Sequence, residues 1–177
     1  PKEYATVDKV YLGGSDYDLV KKINQKKVPV MFYSTRQMKQ EFYAAKKLIK
    51  KGKYNQALLK LNRINNSNVN LIVKEKVDFL IDFVMHVQDR DFEQVDYKSI
   101  TRKSYLYRGY GIQLKGKVTN LRVKHKSMTF TLLVNYKQGD VFSGIAEIYV
   151  NERIAVKNGS MIELEGLYIS PIGSSKR

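Results

Sequence analysis

Residues 109–136 read GYGIQLKGKVTNLRVKHKSMTFTLLVNY, and within them the apolar residues settle into a period of two. Ile112, Leu114, Gly116 and Val118 alternate with Gln113, Lys115, Lys117 and Thr119. Phe130, Leu132, Val134 and Tyr136 alternate with Thr129, Thr131, Leu133 and Asn135. A two-residue period sends successive side chains to opposite faces of a strand. Phe142, Gly144, Ala146, Ile148 and Val150 carry the same pattern onward, as do Ile162, Leu164, Gly166 and Tyr168. Turns are expected at 124–127, 137–140 and 157–160, with Asn158-Gly159 the strongest reversal signal. The sum is a small antiparallel sheet with one buried face.

Upstream the period is helical. Residues 42–64, FYAAKKLIKKGKYNQALLKLNRI, set Ala44, Ala45, Leu48 and Ile49 on one stripe and Ala57, Leu58, Leu61 and Ile64 on another. Gly52 between them enters a left-handed helix stop without a Cβ penalty. Small residues at Ala44, Ala45 and Ala57 allow two helix backbones to approach closely. Ser34 or Thr35 is the expected cap of a first helix reaching about residue 51; the second runs from about 54 to 64. Asn65-Asn66-Ser67-Asn68 reads as a turn.

A third helix, Val69 to Val87, carries Leu71, Val73, Val77, Leu80, Ile81, Val84 and Met85, widened by Ile72, Phe79 and Phe83. So broad an apolar face predicts contact on two sides. Residues 88–108 form a mixed junction, with a short helix expected near Phe92 to Val95 and a domain boundary near Lys98. The expected organisation is an N-terminal arm at 1–33, a helical domain at 34–97 and a β domain at 98–177. In the arm, Val7, Val10, Tyr11 and Leu12 form an apolar patch. Ser15 or Asp16 caps a short helix with Tyr17, Leu19, Val20 and Ile23, and Pro29 makes Val28 to Tyr33 extended. The arm is expected to pack on the helices or to order on a partner.

Two resemblances follow. The small pair Ala44-Ala45 with Leu48, the turn Gly52-Lys53-Tyr54, and Ala57, Leu61 and Ile64 resemble one tetratricopeptide repeat. No Trp opens its first helix and no Pro closes its second. Gly116 in LKGKV, the alternating strands after it and NGSMIELEG at 158–166 resemble an OB-fold. A strand glycine there permits the bulge and bend of barrel closure. Pro171 interrupts the residues left for a fifth strand, so an NTF2-like curved open sheet stands as the alternative. The fold class is α+β: tetratricopeptide-like antiparallel helices, then a small OB-like antiparallel domain. This pairing, in a Lys-, Asn-, Ile- and Tyr-rich chain, is similar to Borrelia-type membrane-associated proteins of spirochaetes. That similarity implies a cell-envelope or periplasmic, membrane-associated protein; the cytoplasm is the alternative.

The 177 residues carry a net charge of +15. Such a balance favours acidic partners: an acidic protein surface, nucleic acid or an anionic membrane surface. The chain has no Cys and two His, His86 and His125, far apart in sequence. Thiolate chemistry is excluded, and neither a metal site nor a cofactor is expected. No apolar run is long enough to span a membrane. The chain opens on Pro1 rather than Met, which leaves room for a leader or lipid anchor ahead of it.

Catalysis needs converging groups. Asp78 and Asp82 share a helix face and read as a solvated stripe; Glu163 and Glu165 share a strand face and point to water. Gly13-Gly14-Ser15 lacks the residues of a phosphate loop. The expected function is therefore a non-catalytic adaptor that binds and stabilises another protein, or a second copy, through its helices. Tyr43, Lys47, Lys51, Tyr54, Arg63, Phe79 and Phe83 are the candidate contacts. The alternative is single-stranded nucleic-acid binding in a basic OB-like groove through Lys115, Lys117, Arg122, Lys124, Lys126 and Tyr110.

Overall fold

The computed structural model describes residues 7–18, 31–139 and 141–169. The chain forms two compact units: Pro1–Asp91 with Lys103–Gly111 and Leu167–Arg177, and Phe92–Arg102 with Ile112–Gly166. A single cut near Lys98 does not describe this division.

The first unit is helical. Helix α1 (Thr35–Lys50) starts at Ser34, whose hydroxyl accepts from the Gln37 N–H at 3.3 Å while the Gln37 side chain accepts from Ser34 N–H at 2.9 Å. This reciprocal cap satisfies two of the orphan donors of the first turn. Gly52, at φ +70°, reverses the chain into α2 (Tyr54–Asn65). Ala45 and Ala57 are fully buried with Met38, Phe42, Leu58 and Leu61. Helix α3 (Leu71–Met85) adds Val73, Val77, Leu80, Ile81 and Val84 to the same core. The broad apolar face expected of α3 is only partly used: Leu71, Ile72 and Phe83 are exposed, because they lie off the arc that Val73, Val77, Leu80 and Val84 define, while Phe79 and Met85 pack against the core.

Two buried asparagines of α2 bind the segment Lys103–Gly111 into this unit. Asn55 exchanges both amide hydrogen bonds with Gly111, at 2.8 and 3.0 Å. Asn62 donates to the carbonyls of Leu106 and Arg108 at 3.1 and 2.9 Å. Gly109, at φ +80°, sits so close that a Cβ would meet Met85 Cγ at 2.8 Å.

Residues Val7–Asp18 form a strap on the helices, with short 3-10 turns at Val7–Lys9 and Gly14–Tyr17. Val7, Val10 and Leu12 join the helical core. Lys46 of α1 donates to Val10 O; Lys76 of α3 donates to Tyr11 O at 2.8 Å and pairs with the buried Asp16. Met31 bridges to Ser67, and Tyr33 exchanges hydrogen bonds with the Asn68 side chain. The expected helix positions Leu19, Val20 and Ile23, and Pro29, lie outside the described residues.

The second unit is a sheet with one short helix. Its strands are β1 (Glu93–Gln94), β2 (Gly111–Lys124), β3 (Ser127–Val134), β4 (Gly144–Val150) and β5 (Met161–Leu167); α4 (Tyr97–Arg102) follows β1. The order is β1-β2-β3-β4, with β5 also paired to β2. The helix expected at Phe92 to Val95 is instead the strand β1, which pairs parallel to Ile112 and Gln113; the helical turn comes later, where Asp96 caps Ser99. The fifth strand is thus supplied from upstream. Among the described residues no ladder joins β4 to β5, so the sheet is open rather than a closed barrel. Its buried face holds Ile112, Leu114, Val118, Phe130, Leu132, Val134 and Ala146.

The glycine signals act differently from expectation. Gly116 is paired in register with Val134, and the β2–β3 irregularity falls later, between Thr119 and Arg122. A Cβ at Gly116 would lie 2.2 Å from Leu133 O, so the residue permits close approach of β3 rather than a bulge. Gly144 does the same for α4: a Cβ there would meet the Tyr97 ring at 2.7 Å, and the Tyr97 hydroxyl donates to Ile145 O at 2.7 Å.

Candidate interaction surfaces

On α1, 100° per residue separates three sides. Met38, Phe42, Ala45 and Ile49 face the core. Thr35, Lys39, Lys46 and Lys50 face the strap: Lys39 sits 4.3 Å over the Tyr17 ring and Lys50 pairs with Asp8. Arg36, Gln40, Tyr43, Lys47 and the following Lys51 make an exposed outer stripe. The only α1 carboxylate, Glu41, is bound by Lys60 of α2 at 3.1 Å. Among the described residues no carboxylate pairs with Arg36, Lys47 or Lys51.

The predicted helical contacts are therefore only partly brought together. Tyr43, Lys47 and Lys51 share the stripe. Tyr54 and Phe79 pack against the core and Arg63 is half-buried, because the helices use these side chains to close the layer. Phe83 is 40% exposed, on α3. Arg36 was not in the predicted set; its spacing of seven from Tyr43 was the signal.

On the sheet, a single extra residue organises the cations. Thr119 pairs with Thr131 and Arg122 with Thr129, so three steps on β2 match two on β3. Unbroken alternation would turn Arg122 and Lys124 toward the side of Val118. The extra residue restores them to the face of Lys115, Lys117 and Thr119. Asn120, at φ +52°, makes the bulge, and Asn158 steadies it by accepting from Leu121 N–H at 3.0 Å. Tyr149 is 64% exposed and lies across Thr129 from Arg122. Lys117 is held over the Tyr136 ring at 4.3 Å. Lys115 borders a shallow depression of about 480 Å³ with Lys98, Lys137, Tyr136 and Phe142, none but Lys115 in the predicted set. Lys126 is exposed in the β2–β3 turn. Tyr110 is a correction: it is 6% exposed, edge-on to Tyr107 at 5.2 Å, and is not available to a base.

Acidic residues break up this face. Glu147 of β4 accepts from Thr131 Oγ1 at 3.1 Å, and Glu163 and Glu165 are exposed, with Met161, on β5 beside β2. The sheet unit has 10 Lys and Arg against 7 Asp and Glu, a net +3; the helical unit has 22 against 10, a net +12. Among the described residues the helical unit has 15 against 9, a net +6, and the sheet unit 10 against 6, a net +4.

The other candidates have structural partners. Asp78 and Asp82 bind Arg108 at 2.6 and 3.2 Å. Both carboxylates stay solvated, at 42% and 57% side-chain exposure, as the stripe reading expects; Arg108 is the added partner. His86 caps the end of α3 through Asp82 O. The Gly13 N–H donates to the Asp16 carboxylate at 2.9 Å. Among the described residues no three His, Asp or Glu side chains gather as a metal site, and no helix is long and apolar enough to cross a membrane.

Helices followed by an open, antiparallel-rich sheet with a bulged long strand define an α+β protein with an OB-type domain. Residues 88–167 match the family described as spirochaete C-terminal OB fold. The match begins upstream of β1, as the parallel strand requires, and favours the OB reading over the NTF2-like alternative. It supports a spirochaete affinity for this part of the chain, and it leaves α1, α2 and α3 outside. No curated protein and no solved structure matches the chain.

Proposed function

We propose that this is a non-catalytic adaptor that holds a partner protein by an acidic surface against the outer stripe of α1. The observation that carries the reading is the run Arg36, Tyr43, Lys47 and Lys51, exposed and without carboxylate partners among the described residues. The helical unit's net +12 steers an acidic partner toward it. Tyr and Arg, here Tyr43 and Arg36, are among the residue types that dominate interface energies. In this reading the hairpin is a tetratricopeptide-like scaffold and the spirochaete affinity of the sheet favours the cell envelope.

The test is a photo-crosslinking residue in place of Tyr43. One acidic protein should be captured in wild-type background and lost when Lys47→Glu and Lys51→Glu are combined. Capture that ignores the charge reversal would defeat the proposal.

A second reading, single-stranded nucleic-acid binding, is favoured by the bulge that aligns Lys115, Lys117, Arg122 and Lys124 on one face with Tyr149. Phosphate contacts lose affinity steeply between about 50 and 200 mM salt. A labelled oligonucleotide that binds at the lower salt and is released by Lys115, Lys117, Arg122 and Lys124→Ala would favour it.

A further inference from the structure

We infer that the tip of the β3–β4 hairpin docks on an anionic membrane surface, with Val141 and Phe142 entering between the lipids and Lys98, Lys115 and Lys137 meeting the headgroups. Two adjacent apolar side chains held in water by a braced turn carry the inference. Val141 is 61% and Phe142 39% exposed. Met161 of β5, also exposed, lines the same depression, so the three make one patch and not scattered residues. The turn is tied at several points. Lys137 N–H donates to Val141 O and Ser143 N–H to Val134 O, both at 2.7 Å. Asn135 N–H donates to Lys115 O of β2 at 2.7 Å, and the Asn135 side chain donates to Ser143 Oγ at 3.1 Å. These bonds fix the exposure of Val141 and Phe142. They also satisfy main-chain groups that water would not reach against lipid.

Charge selects the partner. Lys98 of α4, Lys115 of β2 and Lys137 of the turn are exposed and line the depression beside the patch. Among the described residues no carboxylate lines it: β5 contributes Met161 and neither Glu163 nor Glu165. Nor, among those residues, is any of the three lysines in an ion pair. Asp140 lies outside the described residues. All the named residues belong to one compact unit, so the site is complete within the sheet domain. Cations bordering an apolar tip complement phosphate headgroups above acyl chains. The ammonium groups gain from the negative surface potential while the tip leaves water. A nucleic-acid base would stack on the Phe142 ring but gain nothing from Val141 and Met161. The site does not rest on the adaptor reading of α1.

The test uses the full chain. It has no Trp, so Phe142→Trp places a single reporter at the tip. With vesicles of phosphatidylglycerol and phosphatidylcholine in equal parts, its emission should shift to the blue and be quenched by bromine on the acyl chains. Phosphatidylcholine alone should give neither effect. In co-sedimentation with the mixed vesicles, Val141→Ser with Phe142→Ser should lower the partition coefficient by roughly tenfold or more, and so should Lys98→Glu with Lys137→Glu. Lys47→Glu with Lys51→Glu, the same change of charge on α1, should lower it by less than about threefold, which separates failure here from failure of the adaptor reading. Phe142→Trp keeps a large apolar ring, so its readout stands even where the serine variant fails to fold. No binding to the mixed vesicles overturns the inference. Binding that leaves the tryptophan unshifted and unquenched does so too, as does an equal loss from the α1 pair, since charge then acts diffusely. Release by inorganic phosphate at matched ionic strength would make the site one for a free anion and also overturn it.

Discussion

Asp16 and Lys76 illustrate how one buried pair can be both costly and required. Each ion lost its water on folding, and the pair regains that energy only through mutual contact and the bonds to Gly13 N–H and Tyr11 O. Removing one partner is the expensive change. Asp16→Ala should destabilise by about 3–5 kcal/mol, because Lys76 stays buried without its counter-ion. Asp16→Leu combined with Lys76→Met should recover most of that loss. A double-mutant cycle by urea unfolding reads the difference, and an additive result would deny the coupling. Asp96 shows the opposite regime, at full exposure. The Ser99 hydroxyl, at 2.6 Å, and then the N–H groups of Lys98 and Ser99 hold its carboxyl below the ordinary 3.8. Its folded value is depressed, so its contribution is present above pH 3.8 and fades as pH falls through the lower folded value. Ser99→Ala should return the midpoint toward 3.8 in an NMR titration of the side-chain carboxyl.

Strand β2 shows what the alternating pattern reveals and what it hides. The period of two placed all four of the expected strands, since Ile112, Leu114 and Val118 are buried and Lys115 is exposed as the pattern requires. The hairpin of α1 and α2 was legible for the same reason: a stripe, a glycine stop and a serine cap are local signals. The bulge was not, because nothing in TNLR distinguishes one extra residue from a continued strand until the partner's register is known. Strand β1 was hidden too: two exposed residues carry no period, and only the parallel edge of β2 makes them a strand. The burial of Lys46 and Lys76 was not legible either, since burial of an ammonium depends on acceptors many residues away. Deleting Leu121 tests the bulge. With two steps on each strand the ladder becomes regular and Arg122 and Lys124 stay on the face of Thr119, so the variant should lose only about 1 kcal/mol, the bond from Leu121 N–H to Asn158, in thermal or urea unfolding; a much larger loss would show that the bulge itself is required. At the other end of the sheet, Gly144→Val forces a side chain into the Tyr97 ring and should cost about 1–3 kcal/mol. Tyr97→Phe, which removes the hydroxyl's bond to Ile145 O, should cost about 1 kcal/mol.

The division of charge between the two units bears on which surface an acidic macromolecule meets first. The helical unit's segments sum to a net +12 against +3 for the sheet unit, and to +6 (15 Lys and Arg against 9 Asp and Glu) against +4 (10 against 6) among the described residues, so the outer stripe of α1 must be distinguished from the sheet face by kinetics. Steering of this kind acts on the association rate and is screened over about 8 Å at physiological ionic strength. Desolvated contacts such as those of Tyr43 act instead on dissociation. The captured partner should therefore associate at least tenfold more slowly with the Lys47→Glu, Lys51→Glu chain at 50 mM salt, and the gap should narrow several-fold at 500 mM. Tyr43→Ala should speed dissociation at both salts. Charge reversal of Lys115 and Lys117 should leave both rates within about twofold, because Glu163 and Glu165 already offset that face. Stopped-flow or surface-binding kinetics at the two salts resolve these rates. If the sheet variants slow association as much as the α1 variants, the α1 stripe is not the docking surface for that partner.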